Sequence, residues 1–269
     1  MKKQIICINW GTKYGPNYIN RLYGMVARNI TPPFTFTCFT DSREGVRPEV
    51  LCEDLPEVDY EMPVGVIGKW PKSRLWSEKL GALSGPVLFL DLDIVITGSL
   101  DLFFEIGEED DVVMARNPTT PFERLGQTSL FRFPVGKLAP MQRAFREDPQ
   151  KIAEKFRFEQ RYVTQNAPGG VKFYPRWAVQ QFSHDCVWTF PLNLVMTPKL
   201  PKRARVVIFA GANDPENAVQ GRWTHRHTAG SLGTYWAARH DRKSTEKNGL
   251  RYLRHFIKPA KWIEEHWVG

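Results

Sequence analysis

Val87-Leu88-Phe89-Leu90-Asp91-Leu92-Asp93-Ile94-Val95-Ile96 holds eight apolar residues and two acids. A run so rich in Val, Ile, Leu and Phe, entered through Ser84-Gly85-Pro86, reads as one strand over 87–96, buried on both faces as in a parallel sheet. Strand side chains alternate, so Asp91 and Asp93 share one side while Leu90, Leu92 and Ile94 take the other. Their Cα atoms would stand roughly 6.5 Å apart. At that spacing both carboxylates can lean toward one cation, and a diphosphate can complete its coordination. Two like charges in an apolar strand cost free energy unless a cation or donors offset them. The plainer alternative is that Asp91 ends the strand and Asp93 caps a turn.

Upstream of this strand the pattern is that of a doubly wound α/β half. Residues 5–8 form a continuous apolar run that breaks at Asn9-Trp10-Gly11, a candidate first strand with a polar loop after it. Ile19, Leu22, Tyr23, Val26 and Ile30 recur at helical spacing until Thr31-Pro32-Pro33 stops them. Residues 34–40 read as a second strand ending at Asp41. Residues 43–72 are rich in Pro, Gly and charge and read as loop with one short strand. A helix is expected over 73–83, carrying Arg74 and Lys79 toward the aspartates. Downstream, 112–115, 129–133 and 206–209 read as strands, and 141–156 as a helix interrupted near Pro149.

An excess of 37 Lys+Arg over 29 Asp+Glu gives a formal charge of +8, which favours an anionic partner such as a nucleotide, a phosphorylated glycolipid or a membrane surface. Zinc-finger spacing, an RNP-like aromatic strand and an extended basic block are all lacking, so nucleic acid is not expected. Cys7, Cys38, Cys52 and Cys186 form no CxxC pair and read as free thiols in a reducing compartment. The apolar run after Met1 is too short for a signal peptide, and no run approaches the ~20 apolar residues that span a bilayer. A cytoplasmic protein is expected, at most peripheral on the inner face of the membrane.

Trp76-Ser77-Glu78-Lys79-Leu80, the aspartate stretch through Ile96, and Leu100-Asp101-Leu102-Phe103 together resemble bacterial GT-A glycosyltransferases similar to glycosyltransferase family 8. Phe39-Thr40-Asp41 matches the end of that family's second strand. The resemblance runs over about residues 4–236. It implies a GT-A type α/β fold, Rossmann-like with a mostly parallel central sheet. It also implies transfer of a hexose from a nucleotide-diphosphate sugar to a glycan or a lipopolysaccharide-type acceptor. Asp91 and Asp93 would hold Mn²⁺ or Mg²⁺, which stabilises the departing diphosphate as a Lewis acid. Asn9, Trp10, Tyr14 and Asp41 would meet base and ribose, with Arg74 and Lys79 near the diphosphate or donor hydroxyls. Glu159, in Glu159-Gln160-Arg161-Tyr162-Val163, matches a segment near donor sugar and acceptor.

The family's late strand ends in Phe-His-Gly-x-x-Lys-Pro. Here Phe209-Ala210-Gly211 puts alanine where the family's metal-binding histidine stands, and Asp214 replaces its lysine. His225 or His227 would then supply the third metal ligand, or the two aspartates and water would suffice. The expected division is a GT-A domain over 1–240, with a nucleotide-sugar half at 1–105 and an acceptor half at 106–240, followed by a basic aromatic extension at 241–269. In that extension Arg251, Tyr252, Arg254, Phe256, Lys258, Lys261, Trp262 and Trp267 would rest on an anionic membrane or form a solvated helix. Two rivals share the motif: a haloacid-dehalogenase-like phosphatase, whose aspartate pair normally ends the first strand, and a non-catalytic nucleotide- or carbohydrate-binding protein with a decayed site.

Overall fold

The computed structural model describes residues 2–120, 122–240 and 248–269. In chain order, strand β1 (Lys3–Asn9) leads into helix α1 (Pro16–Asn29), then β2 (Phe34–Thr40), β3 (Leu51–Glu53), β4 (Pro86–Leu90) and β5 (Ile94–Ile96). Helix α2 (Leu102–Glu105), β6 (Val112–Arg116), β7 (Gly126–Pro134), α3 (Ala139–Glu147), α4 (Pro149–Phe156), α5 (Glu159–Asn166) and β8 (Val171–Phe173) follow. Then come β9 (Val179–Gln181), β10 (Val206–Ile208), α6 (Pro215–Val219), α7 (Leu232–Ala237), α8 (Gly249–Arg254) and α9 (Lys261–His266). Pro16 opens α1 with its φ already helical, and Ile19, Leu22, Met25 and Val26 bury its apolar stripe.

These elements gather into two compact units, Met1–Leu92 with Ser99–Arg176 and Asp93–Gly98 with Trp177–Gly269. Among the described residues the first unit carries a seven-stranded sheet in the order β3-β2-β1-β4-β7-β6-β8. Neighbours are parallel from β3 through β4 and again between β6 and β8, whereas β7 runs antiparallel to both β4 and β6. The chain leaves β1 for β2 and β3 on one side and returns to β4 on the other, so the strand order reverses between β1 and β4. In open α/β sheets ligands bind outside the carboxyl ends of the strands at such a switch point. The second unit holds a smaller sheet, β5-β10-β9, with β5 antiparallel to β10.

Two sequence expectations are corrected here. The single strand over 87–96 is two strands: β4 ends at Leu90, a turn carries Asp91, Leu92 and Asp93, and β5 joins the other sheet. Asp91 and Asp93 are therefore not alternate residues on one strand face. All of β4 and β5 is buried, so the acids lie where the ladder ends and carboxylates keep access to water, which avoids the cost of burying both.

The helix over 73–83 is instead a 3-10 coil at Trp70–Trp76, followed by a bend. At three residues per turn Trp70, Ser73 and Trp76 share one face, and all three are buried. An α-helix would swing the two tryptophans about 120° apart. Their common partner is Phe145, which stacks on Trp70 at 5.2 Å and meets Trp76 edge-on at 5.6 Å.

Candidate functional site

Asn9 ends β1 and Asp41 and Asp91 directly follow β2 and β4, three parallel neighbours, so all three stand on one carboxyl edge. Gly11 takes a left-handed φ of 65° that turns its N–H onto the Asp41 carboxylate at 2.8 Å, tying the loops after β1 and β2 together. Asn9 is buried and its side-chain amide donates to the Tyr14 carbonyl at 3.3 Å. Trp10 packs partly into the core. Tyr14 stays accessible, its ring against Tyr18 and under the Lys13 ammonium.

Asp91 is met by a group that sequence reasoning missed. The Lys72 ammonium lies 2.6 Å from its Oδ1 and 2.9 Å from its Oδ2, and 3.3 Å from the carbonyl of Thr128. It also sits 5.1 Å from the centre of the Phe89 ring. The Lys72 side chain is only 6% exposed, against 20% for Asp91. Lys72 reads in the sequence as one more cation in a polar stretch. What singles it out is burial, which an unpaired lysine does not tolerate.

Thr128 continues the network: its hydroxyl donates to Glu159 Oε1 at 3.0 Å, while Glu159 Oε2 accepts from the Lys69 N–H at 2.7 Å. Glu159 is buried with both oxygens engaged inside the protein. It therefore clasps the segment leading into the 3-10 coil onto β7. Arg74 is likewise occupied, donating to the Pro56 carbonyl at 2.7 Å. Lys79 is exposed and lines a cleft of about 390 Å³ with Phe39, Pro56 and the acids Glu53, Asp54, Glu57 and Glu78.

In the second unit, β10 pairs Ile208 with Ile94, and that ladder ends there, before Phe209 and Ala210. His225 is exposed. His227 bonds the Thr224 hydroxyl at 2.9 Å and lies beside the stacked pair Tyr235 and Tyr252, whose rings are 4.3 Å apart. Burial, with the nearby His255 and His225 charges, holds its pKa down to about 4. Of the C-terminal aromatics, Tyr252, Phe256 and Trp267 are buried in this unit, while Arg251, Arg254 and Lys261 are exposed. Residues 241–247 of the expected extension lie outside the described residues.

A divalent cation needs several oxygen or imidazole donors around one point. Among the described residues no group of three His, Cys, Asp or Glu side chains could hold one. Asp91 is already paired with Lys72, so this carboxylate by itself does not fit a resident metal. The expected ligand set of Asp91, Asp93 and a histidine is not brought together among the described residues.

The mostly parallel sheet with this switch point defines an α/β fold of the GT-A glycosyltransferase type. The chain is similar to an active-site mutant of LgtC, with a TM-score of 0.57 and 13% identity over 96% of this chain and 98% of that one. The galactosyltransferase LgtC in complex with donor and acceptor sugar analogues gives 0.56 and 14% over 97% and 99%. The glycosyltransferase GlyE of Streptococcus pneumoniae TIGR4 gives 0.57 and 12% over 98% of this chain and 64% of that one. At such identities the likeness is one of fold. By sequence, no family model and no curated protein matches the chain. Among the described residues no helix is long and apolar enough to cross a membrane.

Proposed function

We propose that this chain is a glycosyltransferase that moves a sugar from a nucleoside-diphosphate sugar to a glycan or glycolipid acceptor. The observation that carries the reading is the placement of Asp91, with the buried Lys72 charge beside it, at the switch point between β1 and β4. Asn9, Trp10, Tyr14 and Asp41 ring the same edge and would receive the nucleoside, with aromatic faces available for a base. Lys79 offers an exposed cation in the cleft beyond β2. Membership of family 8, with retention of the anomeric configuration and a hexose as the group moved, belongs to this proposal, as does an acceptor from polysaccharide or lipopolysaccharide assembly. Mn²⁺ or Mg²⁺ enters the reading only as a companion of the donor diphosphate.

The test is a panel of nucleoside-diphosphate sugars, with and without Mn²⁺, read by thermal shift and by release of nucleoside diphosphate. Donor-specific stabilisation with slow release supports the reading, and Asp93→Asn should abolish any metal-dependent part of it. Release of phosphate from sugar phosphates would favour the phosphatase, and binding without turnover on any acceptor the non-catalytic protein. No shift with any nucleotide refutes the proposal.

A further inference from the structure

Lys72 is held on every side. The 3-10 coil that carries it is nailed to the core by Trp70 and Trp76, and its ammonium meets both oxygens of Asp91, the Thr128 carbonyl and the Phe89 ring. A buried lysine so surrounded has no solvent position to retreat to. A divalent ion on the same carboxylate would sit roughly 2.0–2.6 Å from its oxygen, which brings two cations within roughly 4–5 Å of each other in a partly dry site where like charges repel strongly.

We infer that Lys72 is a tethered counter-ion that reserves Asp91 and excludes a free divalent cation from it unless a diphosphate supplies the compensating charge. The inference rests on the proposed donor site. The internal cation on Asp91 removes what would hold a metal on that carboxylate in the absence of donor. Charge balance gives the direction. The Asp91 carboxylate is already matched by the Lys72 ammonium, so a bare dication on it adds two uncompensated charges, whereas a dication arriving with a nucleoside diphosphate adds a net negative charge or none.

Mn²⁺ binding to the full chain, followed by the electron paramagnetic resonance of free Mn²⁺, tests this. Wild type is expected to bind no Mn²⁺ below millimolar concentration alone, and to bind it at least tenfold more tightly once uridine or guanosine diphosphate is present. Lys72→Met, which keeps the length and removes the charge, should bind bare Mn²⁺ at least tenfold more tightly than wild type, while Lys72→Arg should not. Tight binding of bare Mn²⁺ by wild type overturns the inference without the help of any variant. So does a folded Lys72→Met that gains nothing, or a Lys72→Arg that gains as much. Failure of wild type to bind any nucleotide, with bare Mn²⁺ still rejected by wild type and accepted by Lys72→Met, would sink the donor-site reading and leave the counter-ion in place.

Discussion

Replacing Glu159 separates a chemical role for this carboxylate from a structural one. Its Oε1 accepts the Thr128 hydroxyl at 3.0 Å and its Oε2 accepts the Lys69 N–H at 2.7 Å, in a site 5% exposed. Glu159→Ala leaves both donors without their acceptor, and each buried unsatisfied group costs about 1–3 kcal/mol. The Thr128 hydroxyl can rotate toward another acceptor, so the expected loss is about 2–4 kcal/mol in all. In Glu159→Gln the amide oxygen can serve Lys69 while the amide nitrogen donates to a rotated Thr128 hydroxyl. Only the charge-assisted part is then lost, about 1–2 kcal/mol. Urea unfolding of the three proteins reads these differences. In the transferase assay Glu159→Gln should keep turnover within about tenfold, since a perturbation of about 1.4 kcal/mol in geometry corresponds to that factor. Full stability in Glu159→Gln with turnover lost by orders of magnitude would refute the clasp and restore a direct chemical role.

Gly68, at φ 116°, admits no side chain: an added Cβ would lie 2.9 Å from Trp70 Nε1 and 3.1 Å from both the Arg157 carbonyl and Glu159 Oε2. Gly68→Ala should therefore lower stability by about 2–4 kcal/mol, combining left-handed strain with displaced backbone, and a urea midpoint close to wild type would contradict this packing. His227 gives a dependence on pH. Its folded pKa, about 4, lies below the ordinary 6.5 through burial and the neighbouring histidines. The unfolded chain therefore takes up this proton first as pH falls. The contribution is whole above pH 6.5 and is lost progressively toward pH 4, so His227→Phe should flatten the decline of the urea midpoint across that window, and an unchanged slope would count against it.

The sequence by itself determined the α/β class, the succession β1-α1-β2-β3 and the aspartate pair as the centre of attention. Those features are local: apolar runs of strand length, a helical period in α1 and turn residues at Thr31-Pro32-Pro33 are written in neighbouring residues. The break between β4 and β5 was not legible, because an unbroken apolar run satisfies one long strand or two short ones equally, and only the competing ladders of β7 and β10 choose. The coil at Trp70–Trp76 was decided by Phe145, which lies far along the chain, and local propensity carries no record of such a partner. Lys72 on Asp91, Glu159 beneath Thr128 and His227 beside the stacked Tyr235 and Tyr252 are likewise contacts between segments apart in sequence. Burial and charge pairing are properties of the packed chain, and it is packing that turned an ordinary lysine into the partner of the aspartate and buried the Glu159 carboxylate against Thr128 and Lys69.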